Sequence, residues 1–441
     1  MKILQVVHGF PPRQQSGTEI YTYNLSKELK KNHEVQVFYP FAGNRFYLKS
    51  SNDDRKICEL NITLTLFQKI KRAITFESTY LNRYIEYKFR TVLETIRPDI
   101  IHFQHLLNMS ASLLQTANEV GIPTVLTLHD FWFICSGIHL LRNDFTICDG
   151  PDKETRNCLE CWNGRQAKLL IEYLTGRSSR IFVELLKFVL VSLNEWEKFS
   201  NRNDFMIALL EKVDKIIVPS EFVRNIIMKK GVSGNKLIRS YNGYNLDIFK
   251  SFRKKRKKKN NKIIFGFVGT IAKHKGIEVL VEAFNMVKHK NAELRIYGQF
   301  QHSSYLKELE KKIQNPFVKI IGPFKDPKEP FSVIDVLIVP SIWYETGGPL
   351  VIEEAQATKT PVIASNIGCI PEFVQDGKNG LLFNPGYSND LFEKILMFIQ
   401  NPNLIPKFQI NITPPRSISD QAEELEIIYK DLIGRERNVT N

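Results

Sequence analysis

Short apolar runs alternate with helical patterns from the first residues onward. Ile3–Val7, Glu34–Tyr39, Ile100–Phe103, Thr124–Leu128, Lys215–Pro219 and Lys236–Tyr241 read as strands, being too short for stable helices and rich in β-branched residues. Between them, Glu19–Lys31 and Ser220–Lys230 carry apolar positions at helical spacing. Ser220 suits an N-cap, Val223 and Ile226–Ile227 supply an apolar face, and Gly231 is a stop signal. The alternation restarts with strands at Ile263–Val268, Glu293–Tyr297, Val318–Ile320, Val336–Val339 and Pro361–Ala364. Its helices are Gly276–Val287, Tyr305–Gln314 and Pro349–Thr358, and a last one near Ser419–Leu432 follows the Pro414-Pro415 break. Strands alternating with helices predict parallel sheets covered on both faces. The chain is therefore expected to form two doubly wound α/β domains, 1–250 and 262–412, joined by a linker at 251–261. A C-terminal helix and tail, 413–441, is expected to pack back on the first domain. Ligands of open parallel sheets bind beyond the strands' carboxyl ends, so two such sheets facing each other would place a site in the cleft between them.

Charge adds a question about partners. The 441 residues carry 61 Lys+Arg against 47 Asp+Glu, a formal charge of +14. Half of that excess is one run, Arg253–Lys259, reading RKKRKKK. It has no aromatic or glycine interleaved, which argues against single-stranded nucleic acid and leaves a solvated linker or a contact with anionic lipid. Two further basic stretches, Phe67–Leu93 and Gly164–Arg202, are amphipathic and read as core-facing helices or as helices lying on a membrane surface. No run is apolar enough to cross a bilayer or to serve as a secretory signal. With six cysteines in the whole chain, the expected location is a reducing cytoplasm, at most peripheral to the membrane.

The segment richest in chemistry is Ser341–Ala355, which follows the strand Val336–Val339. Gly347 and Gly348 let backbone approach a ligand closely. Pro349 suits the first position of a helix. The amides of Leu350 and Val351 would then face an anion at the helix N-terminus. Glu345 lies on the preceding loop, and Glu353 one turn into the helix; both could accept hydrogen bonds from sugar hydroxyls, or could merely complement the helix dipole.

Glu345 and Glu353, with seven residues between them, resemble the E-x7-E motif of retaining glycosyltransferases of family four, which have a GT-B fold of two Rossmann-like domains. Further segments resemble that family in order: Ser16-Gly17-Thr18-Glu19, Thr127-Leu128-His129-Asp130, Asn242-Gly243 with Asp247 and Phe249, Phe267-Val268-Gly269 with Lys275-Gly276, and Gly368–Glu372 with Asp376-Gly377 and Gly380–Leu382. The resemblance implies a nucleotide-sugar donor and a glycan or lipid-linked acceptor, without a catalytic cofactor. It implies that Lys275 pairs with the donor diphosphate and Glu353 with the ribose. Glu345 would contact the transferred sugar, and Gly17, Gly347, Gly348, Leu350 and Val351 would line the donor. His129 would sit on the sugar side, so that Glu345, His129 and Lys275 form the catalytic set. One position departs from the family: Thr270 stands where an arginine usually follows the glycine. Either Lys273 compensates, or phosphate binding rests on Lys275 and the helix amides, because a hydroxyl cannot replace a guanidinium fork. A catalytically weak sugar-nucleotide binder and a GT-B epimerase are the alternatives.

Cys135, Cys148, Cys158 and Cys161 form C-x12-C-x9-C-x2-C directly after His129. Four thiolates fit a structural, tetrahedral zinc; the other readings are four unrelated thiols and an iron–sulfur cluster. Cys58 and Cys369 stand apart and read as ordinary buried residues.

Overall fold

The computed structural model describes the chain except residues 13, 15, 42–44, 51–55, 62–75, 165–195, 255–261, 301–302 and 440–441. Most of the basic run and much of both amphipathic segments therefore lie outside the described residues. Contacts divide the chain into two units. The first comprises Met1–Asn143, Cys148–Asn242 and Ile418–Asn441; the second comprises Asp144–Ile147 and Gly243–Ser417. The boundary falls between Asn242 and Gly243, ahead of the expected end at 250.

The first unit is built on eight strands: β1 (Lys2–Val6), β2 (Glu34–Phe41), β3 (Arg45–Ser50), β4 (Lys56–Asn61), β5 (Ile100–Phe103), β6 (Thr124–Thr127), β7 (Lys215–Val218) and β8 (Leu237–Arg239). Their order is β4-β3-β2-β1-β5-β6-β7-β8. From β2 to β8 every pairing is parallel, whereas β3 and β4 extend the edge antiparallel. That edge hairpin departs from the wholly parallel sheet expected. The parallel strands read as continuous apolar runs because helices cover both faces. On one face the helix Gly17–Leu29 and the C-terminal helix Ile418–Val439 pack together. Ile418, Ala422, Leu425, Tyr429 and Leu432 form the C-terminal helix's buried stripe, against Ile3, Tyr21, Leu25, Val35, Ile100, Val125 and Ile217. Their spacing of four, three, four and three residues is one face of an α-helix.

The second unit is a six-stranded, all-parallel sheet: β9 (Ile263–Val268), β10 (Ala292–Tyr297), β11 (Val318–Gly322), β12 (Val336–Val339), β13 (Val362–Ser365) and β14 (Gly380–Phe383). The order β11-β10-β9-β12-β13-β14 is the 3-2-1-4-5-6 order of dinucleotide-binding sheets, with its switch point between β9 and β12. The core is apolar throughout, with Phe265, Leu280, Phe284, Leu294, Ile338, Ile395 and Phe398 essentially inaccessible. Gly266 lies in mid-strand because a Cβ there would come within 2.1 Å of the Ile334 side chain.

Candidate functional site

In the second unit the loops after β9 and β12 meet at the switch point. The loop after β9 runs through Thr270 into a short 3-10 turn, Lys273–Lys275. Gly276 follows at φ +69°, where a Cβ would lie 1.7 Å from the Pro340 carbonyl oxygen, so only glycine lets the two loops approach this closely. A backbone hydrogen bond from Ile342 N to His274 O, 3.1 Å, ties them. This places Lys275 against Glu345, with Nζ 2.7 Å from Oε1 and 4.7 Å from the centre of the Trp343 ring. Ser341 Oγ and Trp343 Nε1 both donate to the same carboxylate oxygen at 2.9 Å. Burial pushes the Glu345 carboxyl up, but the Lys275 charge and these hydrogen bonds outweigh it and hold it below the ordinary carboxylate value.

The helix following the glycines is Leu350–Ala357. Pro349 is its cap, with φ −53° and ψ 126°, rather than the first helical residue expected. The reason is that the Pro349 carbonyl already accepts the first helical bonds, from Ile352 N at 2.7 Å and Glu353 N at 3.3 Å. Leu350 and Val351 thus supply the two amides that precede those bonds. Gly348 packs so closely that a Cβ would lie 2.6 Å from the Phe373 ring. Glu353 is 2% exposed, and its Oε2 has no hydrogen-bond partner. Burial, and secondarily the neighbouring Glu354, pushes its carboxyl well above the ordinary value. Glu354 is raised by burial to about 7, against the bond it accepts from Tyr244 Oη at 3.1 Å. A buried carboxylate oxygen without a partner is costly unless a ligand satisfies it.

Thr270 is exposed. Lys273 points to Glu308, at 3.8 Å, and to the Tyr305 ring, at 5.7 Å. Lys275 is the cation tied into the Glu345 cluster. Of the two compensations weighed for Thr270, this geometry favours Lys275 with the helix amides.

In the first unit the carboxyl ends of three adjacent strands each carry a histidine two residues beyond the last strand residue: His8 after β1, His105 after β5 and His129 after β6. Only His129 was expected. The recurring position past each strand is the signal that finds the other two. His8 Nε2 lies 3.1 Å from Glu19 Oε1, and Ser16 Oγ also donates to Glu19. Burial raises the Glu19 carboxyl, yet the His8 and Ser16 bonds outweigh it and bring it to about 2. Gly17 opens the helix that carries Glu19. His105 accepts from Leu107 N at Nδ1, 3.0 Å, so its proton is on Nε2, donated to Asp130 Oδ2 at 2.8 Å. Its ring lies 4.4 Å from that of His8, centre to centre. His129 Nε2 pairs with Gln104 Oε1 at 2.8 Å; Gln104 in turn donates to Gln5 Oε1 at 2.9 Å. Burial, and then the nearby His105, lowers His129 to about 3, so it is neutral at physiological pH. Its loop is braced by Arg202, which donates to Trp132 O at 2.5 Å and lies over the Tyr80 and Trp132 rings.

The four cysteines of the cluster are half-buried free thiols. Burial raises the Cys158 thiol to about 12, with Cys135, Cys148 and Cys161 close enough to add to the effect. Among the described residues no group of three or more His, Cys, Asp or Glu is placed to hold a metal ion. Two sulfurs donate to local acceptors, Cys148 to Gly150 O at 3.5 Å and Cys161 to Asn143 Oδ1 at 3.8 Å.

Two successive Rossmann-like units, with a phosphate-suited switch point in the second, define the GT-B class of glycosyltransferase folds. The family model for Glycosyltransferase Family 4 matches residues 15–248, and that for glycosyl transferases group 1 matches 248–413; the chain belongs to glycosyltransferase family 4. Among curated proteins it is 28% identical over 219 residues to the capsular polysaccharide biosynthesis glycosyltransferase CapM of Staphylococcus aureus, covering 45% of this chain and 57% of that one. It is 23% identical to the alpha-monoglucosyldiacylglycerol synthase of Acholeplasma laidlawii, covering 97% and 96%. The chain spans about half the length of the first curated relatives it matches, 52% and 57%. Among solved structures, HepE of Anabaena in complex with UDP and glucose aligns with TM-score 0.61 at 15% identity, covering 98% of this chain and 99% of that one.

Proposed function

We propose that this chain is a retaining glycosyltransferase that moves a sugar from a nucleotide-sugar donor to a hydroxyl of a glycan or lipid-linked acceptor, in polysaccharide or glycolipid synthesis. The observation that carries the reading is the Lys275–Glu345 pair, 2.7 Å apart at the switch point of the second sheet. The amides of Gly347, Gly348, Leu350 and Val351 follow in sequence, and Glu353 one turn on holds an unpartnered, buried oxygen. A cation and a helix N-terminus suit a departing diphosphate, where negative charge develops. A buried carboxylate suits a ribose diol. The relatives named above act in capsule and glycolipid synthesis, and HepE has been solved with UDP and with UDP-glucose.

In the reaction, Lys275 and the amides of Leu350 and Val351 take up charge as the bond between sugar and diphosphate lengthens. Glu345, held by Lys275, Ser341 and Trp343, accepts hydroxyls of the transferred sugar. The acceptor hydroxyl attacks from the face the diphosphate leaves, and its proton passes to the leaving phosphate. Thermal stabilisation by UDP-, GDP-, ADP- or dTDP-sugars tests the donor, and the anomeric signals of the product tests retention. Binding without turnover on any acceptor would point instead to a sugar-nucleotide binder, the reading that Thr270 favours.

The acceptor reading extends to a membrane surface. On the helix Arg83–Ile96, Tyr84 and Tyr87 are exposed, and Lys88 Nζ lies 5.6 Å from both ring centres. Exposed tyrosines beside cations suit the headgroup region. Salt-sensitive binding to vesicles containing anionic lipid is expected; no binding at low salt would remove this part of the proposal.

A further inference from the structure

One buried group beside the donor loop is not used by the mechanism above. Cys369 is completely inaccessible and makes two hydrogen bonds to the segment that carries Glu345. Its backbone N donates to Glu345 O at 3.2 Å, and its Sγ donates to Gly347 O at 3.0 Å. Gly368, at φ +58°, brings residue 369 in under this segment; a Cβ there would lie 2.8 Å from Glu345 O and 2.9 Å from Glu345 N. The Glu345–Gly347 turn is thus held at both ends by a single residue.

We infer that Cys369 is a positioning residue for the donor: by capturing the Gly347 carbonyl, its thiol turns the Gly347–Gly348 peptide so that the Gly348 N–H faces the opposite way, into the row of amides that receives the phosphates. The step rests on the planarity of a trans peptide, in which C=O and the following N–H point in opposite directions. Glycine at 347 and 348 leaves this peptide otherwise free to rotate, so an external hold is needed. Phe373, packed on Gly348, constrains its position but not the direction of its N–H. The thiol stays protonated and able to donate, because burial and then the carboxylates of Glu345 and Glu372 raise it well above the ordinary value. The inference rests on the donor reading given above, since it assigns a task to the same loop.

The test uses the full chain with Cys369 changed to Ala, to Val and to Ser. Valine fills the space without a donor, and serine keeps a donor. In ligand-free protein, amide exchange measured by mass spectrometry is expected to rise in the peptide spanning residues 344–351 for Ala and Val and to return towards the natural rate for Ser. Titration with UDP, GDP, ADP and dTDP is expected to show the best nucleotide weakened roughly 3- to 10-fold by Ala and Val, the range of one lost hydrogen bond, with most of the affinity restored by Ser. Unchanged exchange in that peptide overturns the inference. So does faster exchange with nucleotide affinity within twofold of the natural protein. If the natural protein takes none of the four nucleotides, the donor reading and the positioning role both fall, while the exchange result still reports whether the thiol orders the loop.

Discussion

The two sheets have similar parallel cores but different carboxyl-end rims. In the second unit the rim is made of backbone amides and one lysine, and what lies beneath it is apolar, led by Phe265, Phe267 and Ile338. In the first unit the rim is made of imidazoles paired with carboxylates and an amide. Polar groups continue below it: Gln5, His102 and Gln104 are fully buried, and Thr127 is 1% exposed. Charge that must be neutralised in a transition state calls for fixed donors and a cation, which a loop and a helix end supply. Hydroxyls call for groups that donate and accept in a set direction, which histidines held by carboxylate and amide partners supply. On the function proposed above, the difference separates a rim for phosphate from a rim for hydroxyls within a single chain.

The largest effect is expected from removing the cation of the phosphate rim. Lys275→Ala should lower kcat by about 10²–10³-fold, the range found when one preorganised electrostatic group is lost. It also leaves the Glu345 carboxylate buried without its charge partner, so Lys275→Ala with Glu345→Gln should melt at a higher temperature than Lys275→Ala alone. Equal rates for Lys275→Ala and the natural protein would separate the pair from catalysis.

The carboxylates behind that rim respond to pH with a defined sign. Glu354 titrates near 7 when folded and near the ordinary carboxylate value of about 4.3 when unfolded. The folded state therefore binds the proton more tightly. The associated stability is fully present below about pH 4 and is lost as pH rises through about 7. The melting temperature should fall over that window, and Glu354→Gln should flatten the fall. Glu353→Gln should weaken donor binding in calorimetry while leaving the fold intact, because the two hydroxyls of a ribose diol call for two acceptor oxygens and the amide keeps only one. Unchanged affinity would take Glu353 out of the donor site.

Much of the phosphate rim could be read before the structure. Gly347, Gly348, Leu350, Val351 and the two glutamates are contiguous, so local spacing places them near one another. In the hydroxyl rim only His129 is legible beforehand, because the rest come from residues 8, 19, 105 and 130, and only the parallel register of β1, β5 and β6 assembles them. Their signal, one histidine two residues past each of three strands, is visible only once strand ends are known. Proline suits both the cap and the first turn, so the sequence alone does not distinguish the cap position that Pro349 takes. The β3–β4 hairpin was missed because it breaks the strand-helix alternation on which the reading relied. The four cysteines are spaced like metal ligands, and the fold brings Cys135, Cys148 and Cys161 near Cys158; elemental analysis of the purified protein tests the zinc reading.

A moderate effect should distinguish the hydroxyl rim from the phosphate rim. Asp130→Asn removes the negative charge that receives the His105 proton at 2.8 Å, while Leu107 N still holds the ring's tautomer. Turnover should fall by about tenfold, near 1.4 kcal/mol, with nucleotide affinity unchanged. A parallel loss of nucleotide affinity would show that the two rims do not divide the substrates as proposed.

The smallest effect should come from the polar thread below that rim. The C-terminal helix sends Tyr429 Oη to His102 Nδ1 at 2.6 Å, and His102 Nε2 meets Thr127 Oγ1 at 2.8 Å. His102 is held neutral, lowered by burial to about 3, so no charge depends on this chain of bonds. Tyr429→Phe keeps the ring that packs among Ile3, Ile100 and Leu425 and deletes one hydroxyl. The imidazole loses a partner it cannot replace with water, so unfolding of the first unit should become easier by about 1 kcal/mol. Turnover at room temperature should be unchanged, because His129 and Gln104 keep their own bonds. If Tyr429→Phe lowered turnover as much as Asp130→Asn, the buried thread would be setting the orientation of the rim rather than only holding the C-terminal helix to its sheet.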